Sequence, residues 1–378
     1  MTQVTTTTPP RAVTASAPGK LILAGEHSAV YGRPALVAAV DARLVVRAMQ
    51  AGAGATSGGG ASGEPDDGVV LDLTDLGIVV RTGGGALRDY ASRARTRWES
   101  FAAEPSPERF RALRGGDPAH LARVALGETL LAFGERLAPR WTFHVRSALP
   151  LGSGMGSSAA AAAALIAAAM AMLGRPVTVE ALEPIVLETE RRQHGSPSGV
   201  DGAVVLRGGL QWVERTEVGL RFEALPAQLP LLSELLVLDT GTPVQATGEV
   251  VAAVRQLRAS DPAAFDTLLD RLEEATRRLR DALIASDRAA LADAIHHAQR
   301  GLERAGVVPP RVRDLVRAIE GSGGAAKISG AGALAGDGAG CLVIYHPHPA
   351  SLLASAAVKA ESLLSVRLGA EGVRLESS

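Results

Sequence analysis

The residues best placed to do chemistry lie in four glycine-bearing stretches. The first, LPLGSGMGSSAAAAAALIAAAMAML (Leu149–Leu173), sets Gly152, Ser153, Gly154, Met155, Gly156, Ser157 and Ser158 directly against an alanine-dominated run. Glycines let a backbone approach a ligand with no Cβ in the way. A helix start adds unpaired N–H groups and roughly half a positive charge. The stretch therefore predicts an anion cradle feeding a helix from about Ser158, with Ser157 and Ser158 where N-caps sit. An ordinary cap with a flexible entry is the plain alternative, though three alternating glycines exceed what a cap needs. No Gly-Lys-Ser/Thr follows, so this is not a Walker A loop. Nor is it a dinucleotide fingerprint, because Glu180 falls inside a helical pattern.

The second stretch, SAPGKLILAGEHSAVYG (16–32), carries Lys20, Glu26 and His27 within eight residues. Lys20 could contact phosphate or stabilise an alkoxide; otherwise it is a surface lysine beside two loop polars. The third, ETERRQHGSPSGVDG (188–202), predicts a helix ending near Gln193 and a loop bearing His194, Ser196, Ser198 and Asp201. Glu190 then opposes the dipole at a helix C-terminus, a penalty that a bound cation such as Mg²⁺ would relieve. The alternative is a solvated helix face on which Glu190 pairs with Arg191 or Arg192. The fourth, KISGAGALAGDGAGC (327–341), sets Gly330, Ala331 and Gly332 in a second glycine loop between a lysine and a buried strand. Two such loops suit a phosphate-bearing ligand gripped from two domains.

A chain of 378 residues predicts two such domains, divided near residue 225 into 1–225 and 226–378. Hydrophobic residues make up 47% but aromatics only 3%, so the core must be built of Ala, Val and Leu. LILAG, ALVAAV, LVVRAM, VVLDL and IVVRT read as strands, with a patternless mobile loop at 51–68. Residues 86–138 read as helix broken by EPSPE and RGGDP, and WTFHVRSAL as a strand into the first glycine loop. VTVEALEPIVLETERRQ is helical, and residues 202–222 read as paired strands. LLSELLVLDT is a buried strand, residues 245–320 are amphipathic helices, CLVIYH is a strand, and ASLLASAAVKAESLL is a last helix. No repeat is visible.

Net charge near zero (39 basic, 40 acidic) leaves no footprint for nucleic acid. One cysteine excludes an internal disulfide and fits a reducing, cytoplasmic setting. The polar start, MTQVTTTTPPRAVTA, reads as a disordered lead-in rather than a secretion signal. The apolar run after Ser158 is mostly alanine, and predicts a buried helix rather than a membrane span.

The order PGK…GEH, PLGSGMGSSAA, KISGAG resembles the three motifs of the GHMP small-molecule kinases, from about Ser16 to Tyr345. GEHSAVYG and HGSPSGVD are most similar to the mevalonate kinase members. The resemblance implies a two-domain α+β fold with the active site in the interdomain cleft. It implies ATP and Mg²⁺ as cofactors, mevalonate as substrate and, from the family alone, a possible homodimer. Asp201 matches the proposed base and Lys20 the lysine near the reacting hydroxyl. Ser158 and Glu190 match Mg²⁺ ligands; residues 152–158 and 330–332 match ATP contacts. Glu26, His27 and Thr247 match the substrate pocket. The rivals are a GHMP kinase for another alcohol, such as phosphomevalonate kinase, and a catalytically dead sensor on the same fold. Lys20, Glu190 and Asp201 are all retained, which argues against the sensor. The chain departs from the family at ALAGD (333–337), a five-residue extension of the third motif, and at Gln245, where an arginine is common. Cys341 matches the motif cysteine and reads as a small buried residue, not a nucleophile.

Overall fold

A computed structural model of the chain describes residues 10–50, 68–134, 141–150, 152–226, 228–354, 358–359 and 362–377. In chain order the elements are β1 (Ala12–Ala24), β2 (Ala35–Gln50), β3 (Gly68–Leu73), β4 (Ile78–Gly83), α1 (Gly84–Ala103), α2 (Pro107–Arg114), α3 (His120–Phe133) and β5 (Trp141–Ser147). Then come α4 (Ser157–Met172), α5 (Val179–His194), α6 (Val200–Arg207), β6 (Leu210–Thr216), β7 (Gly219–Ala224) and β8 (Leu235–Asp239). The remainder is α7 (Thr247–Ser260), α8 (Pro262–Ala285), α9 (Arg288–Arg304), α10 (Pro310–Gly321), β9 (Ala325–Ser329), β10 (Cys341–Tyr345), α11 (Pro349–Ala354), β11 (Leu363–Leu364) and β12 (Arg374–Leu375).

The expected α+β architecture is present as two sheets. The first runs β12-β1-β2-β5-β3-β4, with the β6–β7 hairpin attached to β2. The second runs β11-β8-β10-β9 and is antiparallel throughout. ALVAAV and LVVRAM turn out to be one strand. Its first half pairs with β6 and its second half with β5, while β1 accompanies almost its whole length. The β1–β2 ladder shifts register between Pro18 and Gly19, directly before Lys20. Such a bulge re-aims the next side chains.

α4 packs on β1 and β2, with α3 and α5 against it. Thirteen of its sixteen residues are buried. A helix apolar all round belongs inside, and alanine lets its neighbours approach closely. Among the described residues no helix is long and apolar enough to cross a membrane.

The halves on either side of residue 225 share a hydrophobic cluster that joins Leu23, Leu36 and Trp212 to Leu279, Leu283, Ile295 and Val343. The chain's end also crosses back. Val366, Leu368 and Val373 pack on the first core, and β12 pairs with β1.

Three expectations need correction. The paired strands expected over 202–222 begin only at Leu210, since residues 200–207 form α6. Their valines favour strand, but the run ends in two glycines at φ 73° and 69°, and its apolar residues pack on α4 and α5. The polar lead-in stops early, since Ala12 already pairs with Met49. The last helix is described over Pro349–Ala354, residues 355–357 lie outside the described residues, and Leu363–Leu364, expected to end that helix, is a strand on β8. Residues 51–67, most of the expected mobile loop, and 1–9 lie outside the described residues.

α1 and α3 meet at Gly127, where a Cβ would stand 2.4 Å from the Leu87 carbonyl oxygen. Alanine normally stabilises a helix over glycine by about 1 kcal/mol. Here that gain is outweighed by overpacking, so G127A is expected to lose about 1–3 kcal/mol in urea unfolding. A stability equal to wild type or higher would contradict the backbone contact.

Candidate active site

β1, the first glycine loop, α5 and α6 converge on one point. Lys20, its side chain 5% exposed, lies 3.2 Å from the Asp201 carboxylate. Its backbone N–H donates to the Met155 carbonyl at 2.9 Å, which ties β1 to the glycine loop. Its methylene stem occupies the space beside Gly156, where a Cβ would come within 2.8 Å of it. Asp201 stands in the first turn of α6, where the dipole favours an acid.

Glu190 is buried at 3% exposure. Burial, then the Asp201 charge, pushes its carboxyl up to about 8, against the opposing pull of Lys20. The solvated-face alternative fails, because Arg191 and Arg192 both donate to Glu188. Arg192 is itself buried and lies 4.9 Å from the Trp98 ring centroid. Trp98 donates to the Gly195 carbonyl at 2.7 Å, which holds the loop leading to Asp201.

The serines do not cap α4. Gly156, at φ 73°, takes the N-cap position, and no side chain caps the helix. A serine at that position lost to glycine because the turn demands a left-handed backbone. The Ser158 hydroxyl instead meets His194 Nε2 at 3.1 Å. In the loop, Ser153 and Met155 point inward while Gly152 and Gly154 are exposed. Added to Gly154, a Cβ would have only the Ser329 carbonyl near it, at 3.8 Å, so this is the loop's open point.

The second glycine loop lies on the first: a Cβ on Gly340 would stand 2.8 Å from the Ser153 carbonyl oxygen. A Cβ added to Gly330 would meet no atom within 4 Å, although the residue itself is buried. The Ala331 carbonyl is bonded by His27 Nε2 at 2.9 Å, and Gly332 abuts the Val307 carbonyl. The two departures noted in the sequence meet here, as the Leu334 amide of the extension donates to Gln245 Oε1 at 3.2 Å.

Glu26 does not stand open to a ligand. It is buried against the ammonium group of Lys327, with the Gly330 amide supporting the same carboxylate. Burial pushes the Glu26 carboxyl up and the Lys327 ammonium down, each opposed by the other's charge. His27 is held at φ 58°, a costly backbone for a non-glycine residue. Thr247 is exposed at the start of α7. Cys341 is buried, and its thiol is pushed up to about 12 by burial, which makes it inert as expected. Sequence reasoning missed the role of Lys327. The signal available was a lone lysine inside AAKIS, a strand whose five residues are all buried.

Among the described residues no group of three or more His, Cys, Asp or Glu stands together as a metal site. The donor chemistry nevertheless fits a hard cation bound partly by a ligand's oxygens. Two carboxylates, one of them buried, face a single lysine.

Family models for the GHMP kinases N terminal domain and the GHMP kinases C terminal match residues 121–209 and 279–361. A mevalonate kinase of Aeropyrum pernix is 30% identical over 327 residues, 85% of this chain and 86% of that one. The chain belongs to the GHMP kinase family. This GHMP kinase is also 29% identical to a mevalonate kinase of Thermococcus sibiricus, across 96% of its own length and 98% of the relative's. A crystal structure of mevalonate kinase superposes with TM-score 0.74 at 17% identity, covering 95% of this chain and all (100%) of that one. The L. major mevalonate kinase in complex with R-mevalonate gives 0.66 at 20% identity, covering 94% of each chain. At these identities the structures attest the shared fold.

The raised Glu190 carboxyl carries a pH signature. Between its ordinary value of 4.5 and about 8, the folded protein holds a proton that the unfolded chain has released. That stability is full below the lower value and is lost as pH rises through the upper one. In the ligand-free protein, wild type is expected to lose up to about 1.4 kcal/mol per pH unit relative to E190Q between pH 5 and 8. Parallel unfolding curves for the two proteins across that range would remove the buried, under-neutralised carboxylate.

Proposed function

We propose that this GHMP kinase is a mevalonate kinase that transfers the γ-phosphoryl group of ATP to the 5-hydroxyl of mevalonate. The product is 5-phosphomevalonate, an isoprenoid precursor. The observation that carries the chemistry is the Lys20–Asp201 pair, 3.2 Å apart beside the first glycine loop. The choice of alcohol rests on archaeal mevalonate kinases similar over nearly the full chain.

Phosphoryl transfer depends on positioning and charge more than on covalent help. Asp201 accepts the hydroxyl proton as the alcohol oxygen attacks phosphorus, and the Lys20 ammonium stabilises the alkoxide character that develops. The uncapped amides of α4 and the open backbone at Gly154 receive phosphate oxygens, and the second glycine loop faces the same nucleotide by resemblance to the family. Ser158 and Glu190 would hold Mg²⁺, which when bound offsets phosphate charge. His194 orients the Ser158 hydroxyl. His27 and Thr247 belong to the substrate side of the cleft by resemblance to the family. The free buried cysteine fits a reducing, cytoplasmic setting, and a homodimer follows the family.

D201N keeps size but cannot take the proton. It should lower kcat for mevalonate by about 10²–10⁴-fold and leave ATP-analogue affinity within about threefold of wild type. A loss under about tenfold at saturating substrate removes Asp201 from the base role. A panel of alcohols in an ADP-release assay tests the substrate; preference for another alcohol rejects mevalonate.

The open point at Gly154 gives a separate test. G154A should raise the ATP-analogue Kd more than about tenfold and leave the mevalonate Kd near wild type. Equal loss of both affinities, with a lowered melting point, would mean that the glycine serves only the fold.

A further inference from the structure

β9 is a wholly buried five-residue strand with a lysine at its centre. A buried ammonium is costly unless paired, and an apolar residue would fill the same space at lower cost. Lys327 is 0% exposed and donates to Glu26 and to the Ile328 carbonyl, the latter at 2.6 Å. Residues two apart on a strand share a face. Ser329 accordingly faces β1 as well, and its hydroxyl accepts the Ile22 N–H at 3.0 Å. Ile22 is two residues beyond Lys20, and Glu26 ends the same segment. After Ser329 the chain enters Gly330 and Ala331, where His27 takes the Ala331 carbonyl. The bonds of Lys327 to Glu26, of Ile22 to Ser329 and of His27 to Ala331 thus join the segment carrying Lys20 to the start of the second glycine loop.

We infer that the buried Glu26–Lys327 pair and the Ile22–Ser329 hydrogen bond form a clamp that sets the second glycine loop against Lys20. Glu26 and Lys327 are then positioning residues for phosphoryl transfer, acting on the nucleotide side, and not contacts of the alcohol substrate. The inference deepens the kinase reading above and rests on it. A charged pair does here what two leucines would not: it fixes direction as well as distance, since Glu26 also supports the Gly330 amide.

The test is the double variant E26L/K327M, which keeps volume and removes both charges together. Replacing the whole pair spares the fold the cost of one unpaired buried charge, so its melting temperature should stay close to wild type. The ATP-analogue Kd should rise at least tenfold and kcat fall at least tenfold. The mevalonate Kd should stay within about threefold of wild type, a split that a merely structural pair would not produce. A folded double variant with wild-type kcat and nucleotide Kd overturns the clamp. So does a raised mevalonate Kd with nucleotide binding intact, which would return Glu26 to the substrate pocket. Should the double variant not fold, S329A carries the same test on the weaker tie. Its ATP-analogue Kd should rise at least threefold, and an unchanged value in folded S329A overturns the clamp. Wild type is assayed in parallel: nucleotide binding without turnover of mevalonate rejects the substrate assignment and leaves the nucleotide arm of the test readable.

Discussion

One ammonium group, that of Lys20, answers two carboxylates. Asp201 lies 3.2 Å from it and is part-exposed; Glu190 is buried behind, with its carboxyl pushed up to about 8. Below about pH 8 Glu190 therefore keeps its proton, and the Lys20 ammonium is balanced by Asp201. A cation bound beside the two acids would let Glu190 give up that proton, because buried charge is stable only when paired. The surrounding architecture serves the same point. The register shift before Lys20 aims it, the Met155 carbonyl anchors its backbone, and Gly156 leaves room for its stem.

β1 is the spine of this arrangement. It lies beside β2 in the first sheet, takes β12 on its other edge, supports α4, and reaches β9 of the second sheet. The reacting lysine, the first glycine loop and the second glycine loop are consequently referred to one strand. The two loops also touch directly at Gly340 and Ser153. A ligand spanning both would meet backbone held by a shared core rather than two bodies joined by a linker. The extension at 333–337 does not disturb this contact. It is tied instead to Gln245, the other position at which the chain departs from its family.

Much of the fold was legible because local signals agreed. The alanine run is too small-sided and too apolar to be anything but interior, and α4 is buried nearly all round. The amphipathic period of residues 245–320 became α7 to α10. The failures came where local preference met tertiary demand. Val200–Arg207 is rich in strand-favouring valine, yet packing on α4 and α5 and the glycines that end the run make it helix. Ser157 and Ser158 look like caps, yet the turn requires a left-handed residue that only Gly156 supplies cheaply.

By itself the sequence determined the chemical inventory: a lysine, two acids, a serine and two glycine loops, in the order that marks the family. It could not assign neighbours. That Glu190 shuns Arg191 and Arg192 for a buried place near Lys20, and that Glu26 faces Lys327 rather than a ligand, were decided by tertiary structure alone. The reason is physical. The charge state and reach of a side chain depend on burial and on partners far away in the chain. Glu26 and Lys327 are 301 positions apart, and no local pattern encodes their meeting.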